Sequence, residues 1–479
     1  MLLTIDRRSK KPIFKQIVNQ IHQKILSGEL APNSRMLSER ELAKTLSVNR
    51  MTVVRSYDEL QSLGLIERFK GSGTFVAVAH KRDVSKLTNW TTYINDNTFL
   101  TTNPIIQKIR EHSRTMTNGF DLANGELAPD LFPSNLLEAI MRRISISDIN
   151  LGYSPPEGIG DLRDSLCLSL DSRKSIKTTS ACILITSGAQ QALYLIANCL
   201  LRPGDVIAIE SPSYNYSLSI FKSAGLKIVG LKVKKDGIDP KEIEHLYKSY
   251  NIKMIFLNPT YQNPTGTVMS SKKRIEVLRI SERLRIPIVE DDPFSDLNYG
   301  TKALPPPIKS YDDKENVLYI GSFSKIVASG LRIGWLVAPI EVIKKLSDVR
   351  QQIDFGLSIF PQIIANEFVK SESYTQHIEL VNDLLRFKRD ILVTAMNREL
   401  KHLVQYQEPN GGFHLWVKLN NKYNESKLIN ESFNNNLLFM PGSIYGDKNG
   451  YFRLTFARLN NQDIDNAIEK LKLIIEKAT

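Results

Sequence analysis

The 479-residue chain is poor in cysteine, with three: Cys167, Cys182 and Cys199. Their odd number and the lack of any C-x-x-C spacing suggest neither a disulfide framework nor a zinc site, and fit a reducing compartment. No run of about 18 apolar residues occurs, so no membrane-spanning helix is expected. The opening MLLTIDRRSKK is basic but is not followed by an apolar stretch, so no secretory leader is expected either. These absences predict a cytoplasmic protein. Internal repeats and low-complexity tracts are also missing. With 42% hydrophobic and 24% charged residues, the composition is that of a globular chain rather than a disordered or fibrous one.

What the chain has is positive charge, unevenly placed. The net charge is +12. Residues 1–80 hold thirteen Lys and Arg against seven Asp and Glu, so half of the excess lies in the first sixth of the chain. Such a basic head points to an anionic partner, nucleic acid above all. The length predicts two or three domains.

The head reads as three helices and a hairpin. Ile13, Ile17, Ile21 and Ile25 recur every four residues between Pro12 and Ser27, a single helical stripe. Ser38 stands three residues before Glu41, the spacing of a capping box, and opens a second helix with Leu42, Ala43 and Leu46 inward. Asn49 can cap a third helix with Val53, Tyr57 and Leu60 inward, ended by Gly64. LIERFKGSGTFVAV then reads as two short strands around a glycine-containing turn. This order is that of a winged helix-turn-helix, whose third helix enters the major groove. The outward residues of that helix are Arg50, Met51, Thr52 and Arg55. Arg50 suits a guanine edge, Thr52 a base or phosphate and Arg55 a phosphate, while Arg40 on the second helix suits backbone or base. A merely solvated basic face is the competing reading, and helix order, caps, wing and charge together disfavour it.

The stretch GELAPNSRMLSERELAKTLSVNRMTVVRSYDELQSLGLIERFKGSGTFVA resembles the GntR family of bacterial regulators over about residues 8–78. The resemblance implies DNA contact through Arg40, Asn49, Arg50, Thr52 and the wing glycine Gly73. Leu37 and Asn49 stand where the family usually has Pro and Ser, which implies altered base preference rather than lost binding.

Residues 79–118 are polar and weakly periodic and are expected to be a linker, partly helical from Ile105 to Ser113. From about Phe120 strands and helices alternate: ACILIT, DVIAIE, IKMIFLN, PIVED and VLYIGS each precede or follow a helical pattern. The alternation predicts an α/β body with a large, mainly parallel sheet. GGFHLWVKL, LLFMPGSIY and YFRLTFA predict a smaller α+β unit at the C-terminal end.

Ligands of such sheets sit at the carboxyl ends of the strands, where five stretches converge. ILITSGAQQALYLIA offers backbone N–H groups of Ser187, Gly188 and Ala189 to a phosphate. IPIVEDDPFSDL ends a strand in carboxylates, and a protonated pyridine nitrogen needs one as its partner. Asn263, in the N-P-T-G turn, can donate to a phenolate oxygen, and Tyr214 in ESPSYNY can stack on a ring. In GSFSKIVASGLRIGW, Lys325 can form a Schiff base, while Ser322 and Arg332 can hold phosphate oxygens.

Residues 119–479 resemble fold-type I aminotransferases of class I and II. The resemblance implies pyridoxal 5'-phosphate (PLP) as cofactor, with Lys325 as Schiff-base lysine, Asp291 at the pyridine nitrogen, Asn263 at the 3-hydroxyl and Tyr214 on the ring. It also implies a phosphate cup of Ser187, Gly188, Ala189, Ser322 and Arg332, with Tyr153 reaching the phosphate of the other subunit. Arg453 matches the arginine that clamps the amino-acid carboxylate, and Arg458 is its alternative. Phe294 departs from the pattern, standing where these enzymes often carry a tyrosine, and this puts efficient transamination in doubt.

A GntR-type head on an aminotransferase-like body resembles the MocR (GabR-like) regulators. The architecture implied is a head at 1–78, a linker at 79–118 and a PLP-binding, dimerising body at 119–479. The function implied is transcriptional regulation by a homodimer on two DNA half-sites, sensing an amino compound or PLP itself through an aldimine at Lys325. An active aminotransferase with an accessory head, and a DNA-binding protein whose body only dimerises, are the competing readings.

Overall fold

The computed structural model describes residues 3, 5–7, 11–26, 29–69, 72–77, 100–447 and 450–478. The chain divides into two compact units, residues 1–97 and 98–479.

In the first unit, α1 (Ile13–Leu26), α2 (Glu39–Leu46) and α3 (Arg50–Ser62) precede β1 (Ile66–Phe69) and β2 (Gly73–Val76). The two strands pair antiparallel with Ile66 opposite Val76 and Phe69 opposite Gly73. Ile17, Ile21, Leu42, Val53, Tyr57, Leu60 and Ile66 form one core, the inward set that the periodicity selects. The capping box closes both ways, Glu41 N–H donating to Ser38 Oγ (3.3 Å) and Ser38 N–H to Glu41 Oε2 (2.9 Å). Asn49 Oδ1 accepts from Met51 N–H at 2.8 Å and starts α3. Each such cap stabilises its helix by about 1 kcal/mol. Between them Ser47 takes a left-handed conformation (φ 51°), a tight turn that lets α3 leave α2 at once.

The second unit is built on a seven-stranded sheet of β4 (Ile183–Thr186), β5 (Val206–Ser211), β6 (Lys227–Lys232), β7 (Met254–Leu257), β8 (Ile288–Asp291), β9 (Val317–Ser322) and β10 (Gly334–Val337). Phe120–Asp121 is the preceding short strand β3, and the spatial order is β4-β10-β9-β8-β7-β5-β6. All neighbours are parallel except β10, antiparallel to β4 and β9. The central strands are largely apolar because helices cover both faces. Ala189–Cys199 packs Leu193 and Ile196 on one face, and Pro240–Tyr250 and Ser271–Leu284 pack Ile243, Val277 and Leu278 on the other. Residues Ser211, Asn258, Asp291 and Ser322 therefore end or follow strands at one edge of the sheet.

The smaller part carries an antiparallel sheet of β11 (Val404–Tyr406), β12 (His414–Leu419), β14 (Met440–Pro441) and β15 (Tyr451–Thr455), in the order β11-β12-β15-β14. The short β13 (Leu437–Leu438) pairs in parallel with β3.

The expected linker needs correction. Its residues 79–99 lie outside the described residues, but Pro104–Thr115 is a helix of the body, not a spacer. Asn103 Oδ1 caps it by accepting from Ile105 N–H at 2.9 Å. Ile106 and Ile109 are buried with Ala123, Leu438, Met440 and Tyr445. Just before it, Leu100 N–H donates to Ser223 Oγ (2.8 Å) and Ser219 Oγ–H to the Thr101 carbonyl (2.9 Å). The helix expected over Ile105 to Ser113 is there, and its apolar side needs only two isoleucines.

Candidate functional site

A cavity of about 330 Å3 opens at the carboxyl edge of the large sheet, where the small domain meets it. It is lined by Lys325, Asp291, Asn263, Tyr214, Ala189, Ser322, Arg332 and Arg453, among others.

Lys325 leaves β9 in a single turn, Phe323–Lys325, capped by Ser322 Oγ accepting from Ser324 N–H at 3.1 Å. Its Nζ donates to the Gly125 carbonyl at 2.5 Å. Burial, and then the charge of Arg453, push the ammonium down to about 8. A lysine so placed is neutral in a useful fraction of molecules near neutral pH, the state in which it attacks a carbonyl.

Asp291 ends β8 and Asp292 follows it, and the structure separates their roles. Asp292 is buried and accepts from Tyr319 Oη–H (2.8 Å) and Ser295 Oγ–H (2.6 Å). The Asp291 carboxylate has no hydrogen-bond donor among the described residues and faces the cavity. Burial, reinforced by the Asp292 charge, pushes it up to about 7. A cationic ring nitrogen is the kind of group that would satisfy it.

Asn258, which the sequence reading did not single out, holds this corner together. Its Nδ2 donates to the Asp291 carbonyl (2.7 Å) and its Oδ1 accepts from Asn263 N–H (2.8 Å). Its own N–H donates to buried Glu210, at 2.8 Å. Asn263 Oδ1 accepts from Arg453 Nη1 at 3.0 Å, which leaves the Asn263 amide hydrogens for a ligand oxygen. The Tyr214 ring forms a wall, its hydroxyl accepting from Gln190 Nε2 at 2.9 Å.

At the phosphate end the expectation is corrected in part. Ser187 and Gly188 do not line the cavity. Ser187 N–H donates to Gln191 Oε1 (2.7 Å) and Gly188 N–H to the Thr186 carbonyl (2.8 Å), so both N–H groups already have acceptors. Ala189, Ser322, Ser324 and Arg332 do line it. Gly188 has a different use: a Cβ there would lie 2.7 Å from Arg332 Nη2, which donates to the Ser187 carbonyl at 2.9 Å. Only glycine lets that guanidinium lie across the helix start.

Arg453 is 4% exposed, has no carboxylate within ion-pair distance among the described residues, and its Nε finds no acceptor. Nη2 donates to the Ala123 carbonyl at 2.5 Å. A buried guanidinium bonded only to neutral acceptors is a seat for an anion. Arg458 is not such a seat, since Asp121 (3.1 Å) and Glu126 (3.0 Å) already pair with it. Phe294 is 1% exposed, edge-on to Phe413 (5.2 Å) and His414 (5.3 Å). His414, held neutral by burial and by Arg453, fills the space behind it. Tyr153 lies away from the cavity, 87% exposed and 5.7 Å from Phe355.

On the head, Arg35, Arg40, Arg50 and Gly73 line a surface groove. Arg50 touches Glu39 at 3.3 Å, Met51 is 67% exposed and Thr52 is half-buried. The Arg55 guanidinium lies over the Phe14 ring at 3.9 Å, so its charge is held against α1. Gly73 has φ +109°, and a Cβ there would press on Arg35 at 3.2 Å.

Two family models match: "Bacterial regulatory proteins, gntR family" over residues 14–76, and "Aminotransferase class I and II" over residues 117–471. The chain is 36% identical to YdfD of Bacillus subtilis, an HTH-type transcriptional regulator, over 98% of each chain. It is 31% identical to the HTH-type transcriptional regulator NorG of Staphylococcus aureus, over 92% of this chain and 99% of that one. The chain belongs to the aminotransferase class I and II family, in its MocR-type branch. Such proteins join a gntR DNA-binding head to a fold-type I aminotransferase body, a family that depends on PLP. Among solved structures, the multiple substrate aminotransferase of Thermococcus profundus superposes with a TM-score of 0.75 at 27% identity, covering 81% of this chain and 98% of that one. The match covers a body with an enzyme's backbone, into which this MocR-type chain places Phe294.

Proposed function

We propose that the protein is a cytoplasmic, homodimeric transcriptional regulator that holds PLP at Lys325 and answers to an amino compound reaching that site. The observation that carries this is the juxtaposition, in one cavity, of a deprotonation-prone lysine and, among the described residues, a carboxylate without a donor and a buried arginine without an acid. PLP supplies an aldehyde that condenses with primary amines. Lys325 would hold that aldehyde, Asp291 the ring nitrogen, Asn263 the 3-oxygen, and Ala189, Ser322, Ser324 and Arg332 the phosphate. Arg453 would orient a ligand by its carboxylate, so that an incoming amine meets the atom that Lys325 releases.

The head would read DNA through Arg40, Asn49, Arg50, Met51, Thr52 and Arg55, with Gly73 shaping the wing. Asn49 does so from the start of α3, since its Oδ1 already caps the helix. Met141, Ile146, Leu151, Tyr153, Ile353 and Phe355 are each more than half exposed, and Tyr153 lies against Phe355, apolar exposure that supports pairing with a second copy. Tyr153 would then reach the partner's phosphate site. Two heads on a dimer call for an operator of two half-sites, whose spacing the chain ahead of Leu100 would set.

An active aminotransferase is the second reading, favoured by the solved enzymes that share the body. Phe294, which has no hydroxyl to offer the 3-oxygen, weighs against it. The test is a visible spectrum of the purified protein titrated with amines beside a DNA-shift assay under the same additions. Coincident responses support the regulator; rapid turnover of amino acid with keto acid, and DNA binding indifferent to amines, would overturn it.

A further inference from the structure

A second opening, a groove of about 940 Å3, lies between the turn that follows β6 and the small sheet. It shares no lining residue with the cavity at Lys325. Strand alternation builds one wall. On β12, Leu415, Val417 and Leu419 are buried in the core, so Trp416 and Lys418 take the opposite face. On β15, Tyr451 stands opposite Lys418. The Trp416 and Tyr451 rings stack, with centroids 5.2 Å apart and planes within 6° of parallel. Both are half-buried and both line the groove. Buried Tyr445 meets Trp416 edge-on at 5.7 Å and fixes the indole from within the fold.

The other wall is basic. Lys232, Lys234 and Lys235 leave the end of β6, and Lys418 faces them with its Nζ 5.7 Å from the centre of the Tyr451 ring. Lys234 is paired with Asp239 at 3.0 Å. Lys232, Lys235 and Lys418 make no ion pair among the described residues, and Asp447 is the single carboxylate among the described residues lining the groove. An inorganic anion would use the lysines and leave the rings idle. A neutral aromatic molecule would do the reverse. We infer that the groove binds a free nucleoside polyphosphate, with its base against the Trp416–Tyr451 pair and its phosphates on Lys232 and Lys235. Aromatic platforms accept any base, and lysines serve phosphates as mobile point charges. The amides of Gln405 and Gln407, at the rim, can meet base edges. Three of the lysines gather on one short turn, which suits the clustered charge of a polyphosphate rather than the spaced phosphates of a strand. This site stands apart from that of the proposed function and does not depend on it.

The experiment follows the tryptophan fluorescence of the full-length protein, in which Trp416 is one of three tryptophans, during titration with ATP, adenosine, tripolyphosphate and a single-stranded oligothymidylate. ATP should quench and saturate, and adenosine and tripolyphosphate should each bind about tenfold more weakly or worse, since each forgoes either the charge or the stacking. Trp416→Leu should remove the quench and weaken ATP about tenfold, as measured by equilibrium dialysis. Lys232→Gln combined with Lys235→Gln should weaken ATP about fivefold at low salt and leave adenosine unchanged. Circular dichroism checks the Trp416 variant, and the exposed lysine pair decides the matter if that variant does not fold. Absence of ATP binding, tripolyphosphate binding as tightly as ATP, oligothymidylate displacing ATP at a lower nucleotide concentration, or ATP affinity unchanged by the lysine substitutions would each overturn the inference.

Discussion

Tyr319 donates its hydroxyl to Asp292 at 2.8 Å, and by doing so decides which of two neighbouring aspartates is free for chemistry. Asp292 is a structural acid, tied to Tyr319 and Ser295. Asp292→Asn leaves a tyrosine hydroxyl and a serine facing an altered acceptor in a buried site, a loss of about 1–3 kcal/mol. Chemical denaturation should show that loss. Cofactor binding should survive in the molecules that remain folded.

Asp291→Asn should behave in the opposite way. The folded carboxylate titrates near 7, above its ordinary value of 3.8, so its ionisation costs stability. The contribution is present below about pH 4 and lost as pH rises through 7. The asparagine variant of the cofactor-free protein should therefore match the parent below pH 4, gain on it between pH 4 and 7, and hold the advantage above. At pH 8 the gain is on the order of 1–3 kcal/mol. Thermal melts across pH measure it, and a parent protein as stable as the variant at pH 8 would contradict the assignment. The same variant should lose PLP affinity, so stability and ligand binding pull against each other at this residue.

Lys325, with its amine near 8, should set the pH profile of cofactor uptake. Below that value the rate should rise about tenfold per pH unit, and above it should level off. Stopped-flow absorbance on cofactor-free protein reads this directly. Lys325→Ala should abolish the visible band, and a band unchanged in that variant would rule out attachment at this lysine.

The caps, inward-facing isoleucines and strand-ending motifs were legible because each depends on residues close in sequence. Ser38 and Glu41 are three apart, and their geometry is fixed by one helical turn. Arg453 and Asn263 are 190 residues apart, so no spacing rule reveals that one occupies the other's oxygen. The engagement of the Ser187 and Gly188 N–H groups was hidden for a related reason. A small-residue turn before a helix usually leaves its N–H groups open, but here the side chain of Gln191 and the carbonyl of Thr186 take them. Arg458 matched Arg453 in type, and only its contacts with Asp121 and Glu126 remove it from the ligand site. Tyr153 is exposed in the isolated chain, and the role proposed for it would need a second copy.

Arg453→Lys should weaken ligands that carry a carboxylate by about tenfold or more, since a single ammonium cannot form the paired hydrogen bonds of a guanidinium. Amines without a carboxylate should bind nearly as before. Spectral titration with alanine and with ethylamine separates the two effects.

On the head, Arg50 is tied among the described residues only by an exposed contact with Glu39, worth at most about 1 kcal/mol, and can leave it for a base edge. Arg50→Ala should relax discrimination at one base pair by about 1–3 kcal/mol. Arg40→Ala should weaken all sequences alike and reduce the salt dependence by about one counterion. Binding measured on a set of single-base operator variants at several salt concentrations distinguishes the two.

The helix Pro104–Thr115 is 12 residues long, about 18 Å of rigid rod. It is one wall of the cavity, and the chain arriving from the head is fastened to the body just before it, at Leu100 and Thr101. A tilt of about 10° at one end displaces the other by about 3 Å, given that length. Whatever fills the space beneath Ile106 and Arg110 therefore bears on a rod, and not on a loop.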